Sequence, residues 1–357
     1  MADDHFKIAI VGSGPGGMSA AAHAAELGVS HVLLESTQHL SYTIFRYQKG
    51  KHVMDEPGVL PLRSPLEFDA GTREEILGKW DEGIEAKGTN VWFQNEVTSI
   101  EGEKGNFTLK TSANKTLTAE NVVLGIGVQG NLRKLGVPGQ EAEWVQYQLD
   151  DPDEYEDETI VVVGAGDAAI ENAVGLAKQN NVIIVNRKDV FARAKQGNLD
   201  LILKCVNDEV LECMYSTTPA RIEEKDPAEN NGKPGLFVLN TPDGEADVPV
   251  DRVIARLGGS PPRRFVEGAG VEFPSEEASA VPAVSPQYES NVPGLYIVGA
   301  LAGYPLIKQC MNQGYEVVEF IEGRNVEPAD EPLLWDKFQR LPSVKSVTEA
   351  LDKIIAN

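Results

Sequence analysis

Two glycine-rich segments carry the clearest chemistry in this sequence. The first follows the apolar run IAIV and the second follows IVVV. In such a loop the first small residue allows a tight turn, the second lets the backbone approach a pyrophosphate, and the third lets the next helix pack closely. The helix N-terminus then faces the negative charge, so we predict two dinucleotide sites. The small residues of the two loops are Gly12, Gly14 and Gly17 in the first, and Gly164, Gly166 and Ala169 in the second.

The residue that ends the second strand of each unit predicts which nucleotide binds there. Glu35 ends HVLLE at the spacing of an acid that binds ribose hydroxyl groups. In the second unit Asn186 takes that place, and Arg187, Lys188 and Arg193 follow it. Guanidinium groups suit a 2′-phosphate, so NADPH is predicted there and NADH is disfavoured. The alternative is that these cations are solvated surface groups.

The predicted elements position these residues in an α/β fold. Residues 7–35 read as strand, turn, helix and strand, 70–88 as a helix, and the apolar alternation from 91 to 127 as a small meander. The acidic stretch QYQLDDPDEYEDE (146–158) is predicted to be a linker, after which the strand–loop–helix pattern repeats. We therefore expect two Rossmann-like dinucleotide-binding domains, each in three layers (ββα).

Composition limits the class of protein. A chain of 357 residues suits two domains, and no apolar run approaches the roughly 20 residues of a membrane span. The start MADDHFK has no signal pattern, so a cytoplasmic location is expected. A net charge of −23 argues against nucleic acid as a partner. It also weighs against an acidic protein partner, unless a local basic patch such as Arg263–Arg264 or Arg133–Lys134 receives it. Three cysteines and five histidines, the latter all within the first 52 residues, predict no metal site.

Several segments together resemble one family. GSGPGG, GIGVQGNLRKLGVPG, VNRKDVFARAK, RVIARLGGSPP and NVPGLYIVGALAGYPLIKQCMNQGYEVVEFI are similar to motifs of FAD/NAD(P) pyridine nucleotide disulfide oxidoreductases of the low-molecular-weight thioredoxin reductase type. The likeness covers about residues 5–325. It also extends to thioredoxin-reductase-type ferredoxin–NADP reductases, and more distantly to the reductase module of bacterial proteins fused to cyclic-nucleotide-binding domains.

The resemblance implies FAD at the first site, NADPH at the second, a homodimer, and rotation of one domain against the other. It places an FAD-binding domain at 1–127 and 256–325, an inserted NAD(P)-binding domain at 128–255, and a C-terminal tail at 326–357. The tail carries the apolar stripe of a helix that either docks on the protein or leads into another module. The FAD contacts implied are Gly12, Gly14, Pro15, Gly16, Gly17, Glu35, Gly127, Gly299, Ala300, Leu306, Ile307 and Gln309. The NADP contacts are Gly164, Gly166, Asp167, Ala168, Ala169, Asn186, Arg187, Lys188 and Arg193.

The sequence departs from the family at three places. Tyr147–Asp150 stands where thioredoxin reductases carry C-x-x-C, so thioredoxin reduction by a dithiol is not expected. Gly16 takes the position of the loop cysteine found in reductases of small bacterial disulfides. Ala300 replaces an aspartate that binds the ribityl chain, which predicts weaker FAD binding. Cys205 and Cys213 are expected to be structural, whereas Cys310 is expected near the flavin.

No catalytic residue is certain, because a flavin would carry the chemistry. The candidates near it are Lys51, His52, Lys308 and Gln309, of which the last two match an Arg-Gln pair in relatives. Lys51 and His52 belong to the cover segment, residues 41–68, whose alternative role is plain loop packing. Lys308 has the alternative of being a surface lysine.

Three functions remain open on the sequence. The first is an NADPH oxidoreductase that passes electrons to ferredoxin or another iron–sulfur protein. The second is a reductase of a small disulfide or a quinone. The third is a non-enzymatic flavin sensor, which predicts bound FAD that NADPH does not bleach.

Overall fold

A computed structural model of the chain describes residues 4–128, 130, 132–277 and 279–330. The strands in this part of the chain are β1 His5–Val11, β2 His31–Leu34, β3 His52–Val53, β4 Gly71–Thr72, β5 Val91–Trp92, β6 Val97–Glu101, β7 Phe107–Thr111, β8 Thr116–Leu124, β9 Val145–Gln146, β10 Thr159–Val163, β11 Asn181–Val185, β12 Glu212–Met214, β13 Thr218–Glu224, β14 Gly235–Thr241, β15 Gly244–Val250, β16 Arg252–Ala255 and β17 Leu295–Ile297. The α-helices are α1 Pro15–Glu26, α2 Tyr42–Phe45, α3 Arg73–Ala86, α4 Asp167–Leu176, α5 Gln196–Asn207, α6 Arg263–Gly268 and α7 Ile307–Ile321. Short 3-10 helices are Pro152–Glu154, Pro227–Glu229 and Gly299–Ala302.

The first sheet has seven strands in the order β5-β2-β1-β8-β7-β6, with β17 also paired to β8. Parallel pairing joins β5, β2, β1, β8 and β17, while β6, β7 and β8 form the predicted antiparallel meander. The C-terminal parts of the central strands, Ile8–Val11 of β1 and Val122–Leu124 of β8, are apolar and buried, as expected for parallel strands covered by other layers.

The second sheet is parallel throughout, in the order β12-β11-β10-β16-β9. A three-stranded antiparallel sheet, β13-β14-β15, packs on it through Ile222, Phe237 and Leu239. On the opposite face α4 and α5 bury Ile170, Ala173 and Ile202 against the sheet. Sheet, sheet and helices are the three layers predicted from the sequence, so the predicted α/β fold class is confirmed.

Helices α1 and α7 cross at close range on one face of the first sheet. A Cβ atom built on Gly314 would lie 2.1 Å from the carbonyl oxygen of Gly16, and the Ser19 hydroxyl donates to the Met311 carbonyl oxygen at 2.6 Å. Only glycine fits at such a contact. The crossing therefore fixes the N-terminus of α1, where the first loop ends, beside the first turns of α7.

Helix α3 confirms the helix predicted within 70–88. Thr72 caps it, accepting from the Glu75 N–H, while Glu75 accepts from the Thr72 N–H, which is a complete capping box. Its apolar side buries Ile76, Trp80 and Ile84 against the core.

Two sequence predictions have different outcomes. The linker predicted at 146–158 is partly structured, since β9 starts at Val145 as an edge strand of the second sheet. The helix predicted in the tail lies outside the described residues. Among the described helices, none has the length and apolar character needed to cross a membrane.

Candidate functional site

The first glycine loop has the geometry of a pyrophosphate cradle. Gly12 has a φ of +93°, and a Cβ built on it would lie 2.9 Å from the Gly125 carbonyl oxygen. Gly17 passes so close to the same loop that its Cβ would lie 1.9 Å from the Gly12 carbonyl oxygen. Pro15 opens α1, and no side chain caps that helix. The first-turn N–H groups are thus left for a ligand.

Glu35 is held rigidly beside this loop. Its side chain is buried and accepts from the Ser13 hydroxyl at 2.6 Å, the Ser13 N–H at 3.1 Å and the Thr37 N–H at 2.8 Å. The Ser36 hydroxyl adds a fourth contact at 3.0 Å. Two of these donors are rotatable hydroxyl groups, so a ribose hydroxyl can take their place on the carboxylate.

A cavity of about 680 Å³ opens at this point of the first sheet. It lies between the first loop, the carboxyl ends of β1, β2 and β8, and α6, and a ligand is expected at the carboxyl ends of parallel strands. Residues that line it include Gly12, Ser36, Asn95, Val97, Gly127 and Arg264. Two predicted FAD residues, Gly12 and Gly127, therefore share one cavity next to Glu35.

Gly14 is open on its Cα side apart from one carbonyl oxygen, whereas Gly16 packs against α7. A Cβ on Gly14 would meet only the Gly125 carbonyl oxygen, at 3.4 Å. A Cβ on Gly16 would lie 3.1 Å from Val298 and 3.2 Å from the Cys310 carbonyl oxygen. Gly16 therefore allows close helix packing rather than offering surface to a ligand.

The start of α7 forms the second end of the predicted flavin site. Leu306 is its N-cap residue, Ile307 its first residue, and no side chain caps the helix. The preceding 3-10 turn places Ala300 beside it, with Gly299 at a φ of +75° and its N–H donating to Gln313 at 2.7 Å. Free first-turn amides would stabilise negative charge placed there.

Lys308 is buried, so the interpretation as a surface lysine is wrong. Its ammonium lies 2.6 Å from Asp55 Oδ1, and it donates to the Pro57 carbonyl oxygen at 3.4 Å. This ion pair fastens the cover segment to α7. Gln309, also predicted to contact the flavin, donates instead to Asp330 at 2.6 Å.

Cys310 is not placed as a reactive thiol. Its Sγ donates to the Tyr304 carbonyl oxygen at 3.1 Å, and burial raises the pKa of the Cys310 thiol to about 12. Burial likewise raises the pKa of Cys213 to about 11. Cys205 is buried in the apolar core of the second sheet, as expected of a structural cysteine.

The side chains of Lys51 and His52 lie in different surroundings. Lys51 lies 2.6 Å from Glu171 on α4, with its ammonium 4.5 Å from the centre of the Tyr47 ring. His52 is exposed on β3, where it pairs with Thr72 of β4. The cover segment thus presents Lys51 toward the second sheet and His52 toward solvent.

The second glycine loop repeats the geometry of the first. Gly164 has a φ of +142°, and a Cβ on it would lie 2.5 Å from the Arg256 carbonyl oxygen and 3.1 Å from Ala169 Cβ. Gly166 faces open space. Asp167 and Ala168 begin α4, and Asp167 accepts from the Lys195 N–H at 2.9 Å and the Asn198 amide at 2.8 Å.

Cations without a carboxylate partner surround the end of β11. Arg187, Lys188 and Arg193 are exposed, and no carboxylate lies within 4 Å of them in the part of the chain that the structure describes. Asn186 is buried and shapes this loop, because its side chain donates to the Val190 carbonyl oxygen and accepts from the Lys188 N–H. Asn186 therefore organises the basic group.

The helix that follows the second loop docks on the cover segment. Asn172 donates to Gln48 at 3.0 Å, Lys51 pairs with Glu171, and Lys195 lies 2.6 Å from Glu56. Glu56 adjoins Asp55, the partner of Lys308. A single short segment thus contacts α4, the residue before α5 and the start of α7.

Sequence reasoning missed the partners in these contacts. Asp55, Gln48 and Glu171 have no motif of their own. One signal was present: Gly175 lies inside a helix, where glycine costs about 1 kcal/mol relative to alanine. A Cβ at this position would lie 3.0 Å from the Gln48 side-chain amide, which explains why glycine occupies position 175.

Comparison with known proteins gives a consistent picture. A family model described as pyridine nucleotide-disulphide oxidoreductase matches residues 9–299. A ferredoxin–NADP reductase of Ignicoccus hospitalis is 29% identical over 310 residues, covering 86% of this chain and 93% of the relative. One from Ligilactobacillus salivarius is 25% identical and covers 85% of each chain.

Solved structures share the fold at lower identity. Bacillithiol disulfide reductase from Staphylococcus aureus superposes with a TM-score of 0.79 at 20% identity, covering 90% of this chain and 99% of its own. Thioredoxin reductase from Lactococcus lactis gives a TM-score of 0.73 at 22% identity, covering 89% and 98%. At these identities the likeness concerns the fold alone.

Proposed function

The chain belongs to the pyridine nucleotide-disulphide oxidoreductase family and is a flavin-dependent NAD(P)H oxidoreductase, and we propose that FAD, NADPH and a ferredoxin-like iron–sulfur protein are its cofactor, donor and acceptor. The observation that carries this proposal is that the two nucleotide loops differ in the residues expected to contact the adenosine ribose. The first adjoins a buried carboxylate, and the second adjoins unpaired cations.

FAD suits the first site because the residues present fit its adenosine diphosphate half. The tight turn at Gly12 and the uncapped start of α1 leave backbone N–H groups for two phosphates. Glu35 offers a carboxylate to ribose hydroxyl groups, and the cavity of about 680 Å³ has room for the nucleoside. When bound, a flavin accepts hydride from reduced nicotinamide and releases electrons to a second acceptor.

NADPH suits the second site because of charge. Arg187, Lys188 and Arg193 stay unpaired among the described residues, although carboxylates outnumber cations in this chain by 23. A 2′-phosphate supplies the negative charge that this group lacks. Asn186 offers no carboxylate to the 2′- and 3′-hydroxyl groups of NADH, and its amide is occupied within the loop.

The proposed acceptor follows from the absence of a dithiol at the C-x-x-C position. Tyr147 and Asp150 stand where the two cysteines of a dithiol would have to lie, so electrons have no thiol route from the first site. Relatives that align with this chain over 93% and 85% of their length are named ferredoxin–NADP reductases. An iron–sulfur acceptor takes single electrons directly from a flavin and needs no cysteine on the reductase.

A small disulfide is less well supported as acceptor. It would require a nucleophilic thiol, and Cys310 has its thiol buried, hydrogen-bonded and raised in pKa to about 12. Reduction of a quinone would need no thiol. A quinone is therefore the small-molecule acceptor against which the proposed iron–sulfur acceptor must be tested.

Anaerobic titration of the purified protein tests the donor and the cofactor. We expect a yellow protein whose flavin absorption is lost with one equivalent of NADPH and far more slowly with NADH. Acid release followed by chromatography should give FAD. Bound FAD that NADPH does not bleach would support a sensor and overturn the proposal.

The acceptor is tested in the same preparation. Reduced protein is mixed with oxidised ferredoxin, with a disulfide and with a benzoquinone, and the return of flavin absorption is followed. Reoxidation by ferredoxin at least as fast as by the quinone is expected. Reoxidation by the quinone alone would reject the iron–sulfur acceptor. Light scattering of the same sample tests the predicted homodimer.

A further inference from the structure

The cavity at the first loop is bounded on one side by α6, which presents two adjacent arginines. Arg263 and Arg264 both line it, together with residues of the first loop and of the Gly127 turn. The helix packs beside β6, and residues 97–100 of that strand also line the cavity. Any group in the cavity therefore lies next to these two side chains.

The guanidinium of Arg263 is occupied by contacts within the protein. Its Nε lies 2.7 Å from Glu267, one terminal nitrogen donates to the Ser275 carbonyl oxygen at 2.6 Å, and the other lies 3.3 Å from Glu276. Its guanidinium also stacks on Phe273 at 4.7 Å. The residue holds α6 to the segment that follows it.

Arg264 makes none of these contacts. It is exposed, and within the described ranges no carboxylate lies within 4 Å of it and no hydrogen bond ties down its guanidinium. Lysine and histidine do not occur among the residues that line the cavity. Arg264 is thus the one cation of that lining whose charge the structure leaves available.

A positive charge is needed in the cavity if it is to bind a diphosphate, because carboxylates lie close by. Glu96 lines it and Glu35 lies beside it, in a chain with a net charge of −23. An adenosine diphosphate group brings two further negative charges, which backbone dipoles at one helix end offset only in part. Without a cation, binding would oppose the field of the whole protein.

Building on the proposal that FAD fills this cavity, we propose that Arg264 is an FAD-anchoring residue whose positive charge stabilises the adenosine diphosphate half of the cofactor. Arg264 is a binding residue and takes no part in electron transfer. This contact would offset the carboxylate that Ala300 does not offer to the ribityl chain.

Titration of the apoprotein with FAD, followed by flavin fluorescence, tests this role. Arg264→Gln should raise the Kd for FAD roughly three- to fivefold, the upper range for losing one exposed charge contact. Arg264→Lys should stay within about twofold of the wild type, since it keeps the charge. ADP, used as a competing probe, should lose affinity in Arg264→Gln by the same factor as FAD.

Lys204→Gln is the matched control, because it removes one exposed positive charge from the distant helix α5. It should leave the Kd for FAD unchanged. An equal loss in Arg264→Gln and Arg264→Lys would overturn the assignment to charge. An unchanged Kd with weaker use of ferredoxin would assign Arg264 to partner docking and also overturn it. A wild type that binds no FAD would defeat the proposed function itself, which is a distinguishable result.

Discussion

Lys308 is the residue on which the cover segment depends most directly. Its side chain is 5% exposed, and its ammonium lies 2.6 Å from Asp55, whose side chain is 30% exposed. Removing one member of a buried ion pair leaves the other charge without a partner, which costs more than the pair itself contributes. The pair therefore ties the start of α7 to residues that follow Val53.

We expect Lys308→Met to lower the free energy of unfolding by about 2 kcal/mol, less than a fully buried pair because Asp55 reaches solvent. Urea denaturation measures this. In the double variant Asp55→Asn/Lys308→Met, where neither charge remains, we expect recovery of at least half of the loss. A loss in the double variant equal to the sum of the losses in Asp55→Asn and Lys308→Met would show that the two side chains do not interact.

At the element scale, α4 is shaped by a contact with another part of the chain. Gly175 lies in the last turn of α4, where the Gln48 side chain fills the space a methyl group would need. Gln48 in turn accepts from the buried Asn172 at 3.0 Å. Helix propensity alone would favour alanine at this position. The glycine is thus explained by docking of the cover segment.

Gly175→Ala should raise local helix stability but displace the Gln48 amide, and with it the cover segment. We expect the rate of flavin reduction by NADPH to fall roughly two- to fivefold, the cost of one displaced hydrogen bond. Stopped-flow absorbance measures the rate. The double variant Gln48→Ala/Gly175→Ala should be no slower than Gln48→Ala, because the clash is gone. A further loss in the double variant would place the effect inside α4.

How much of this could be predicted from the sequence differs between kinds of element. The two loops, their strands and α3 follow from local rules, because glycine spacing, apolar runs and a capping box act within a few residues. Lys308 and Gln309 were placed correctly at the start of α7, but their partners, Asp55 and Asp330, are distant in the chain. No periodic pattern marks such partners, since one side chain at the right place is enough.

A second element-scale feature joins α7 to the chain that follows it. Glu316 is buried and accepts from the Tyr288 hydroxyl at 2.5 Å and the Ala329 N–H at 2.6 Å, with Arg63 at 3.4 Å. Arg63 also donates to the Glu327 carbonyl oxygen. Burial raises the pKa of the Glu316 carboxyl, more than these donors lower it.

A raised carboxyl pKa in the folded state means that folding favours the protonated form. The stabilising contribution is therefore full below the usual pKa of a glutamate and is lost as pH rises through the raised value. We expect the free energy of unfolding of the wild type, relative to Glu316→Gln, to fall as pH rises from about pH 4 through the raised pKa of this carboxyl. Chemical denaturation across that range measures it. A relative stability that increases with pH would mean that Arg63 and the other donors dominate.

At the scale of the whole molecule, charge is the dominant property. Most cations of the described residues are paired with carboxylates, and the exceptions include Arg187, Lys188 and Arg193 after β11 and Arg264 on α6. The net charge of −23 follows directly from the sequence, but the positions of the unpaired cations do not. They depend on which carboxylates the fold brings near, as the different fates of Arg263 and Arg264 show.

This charge predicts how electrons leave the protein. An anionic acceptor meets a repulsive field, which salt screens because the Debye length falls from about 30 Å at 0.01 M to about 8 Å at 0.15 M ionic strength. With protein already reduced by one equivalent of NADPH, reoxidation by ferricyanide should therefore become several-fold faster over that range. Stopped-flow measurement of flavin absorption gives the rate, and a neutral benzoquinone, which feels no net field, is the control. If ferricyanide reoxidation slowed with salt while the quinone rate stayed constant, a local positive patch at the exit site would outweigh the net charge, and an acidic ferredoxin would then dock by attraction.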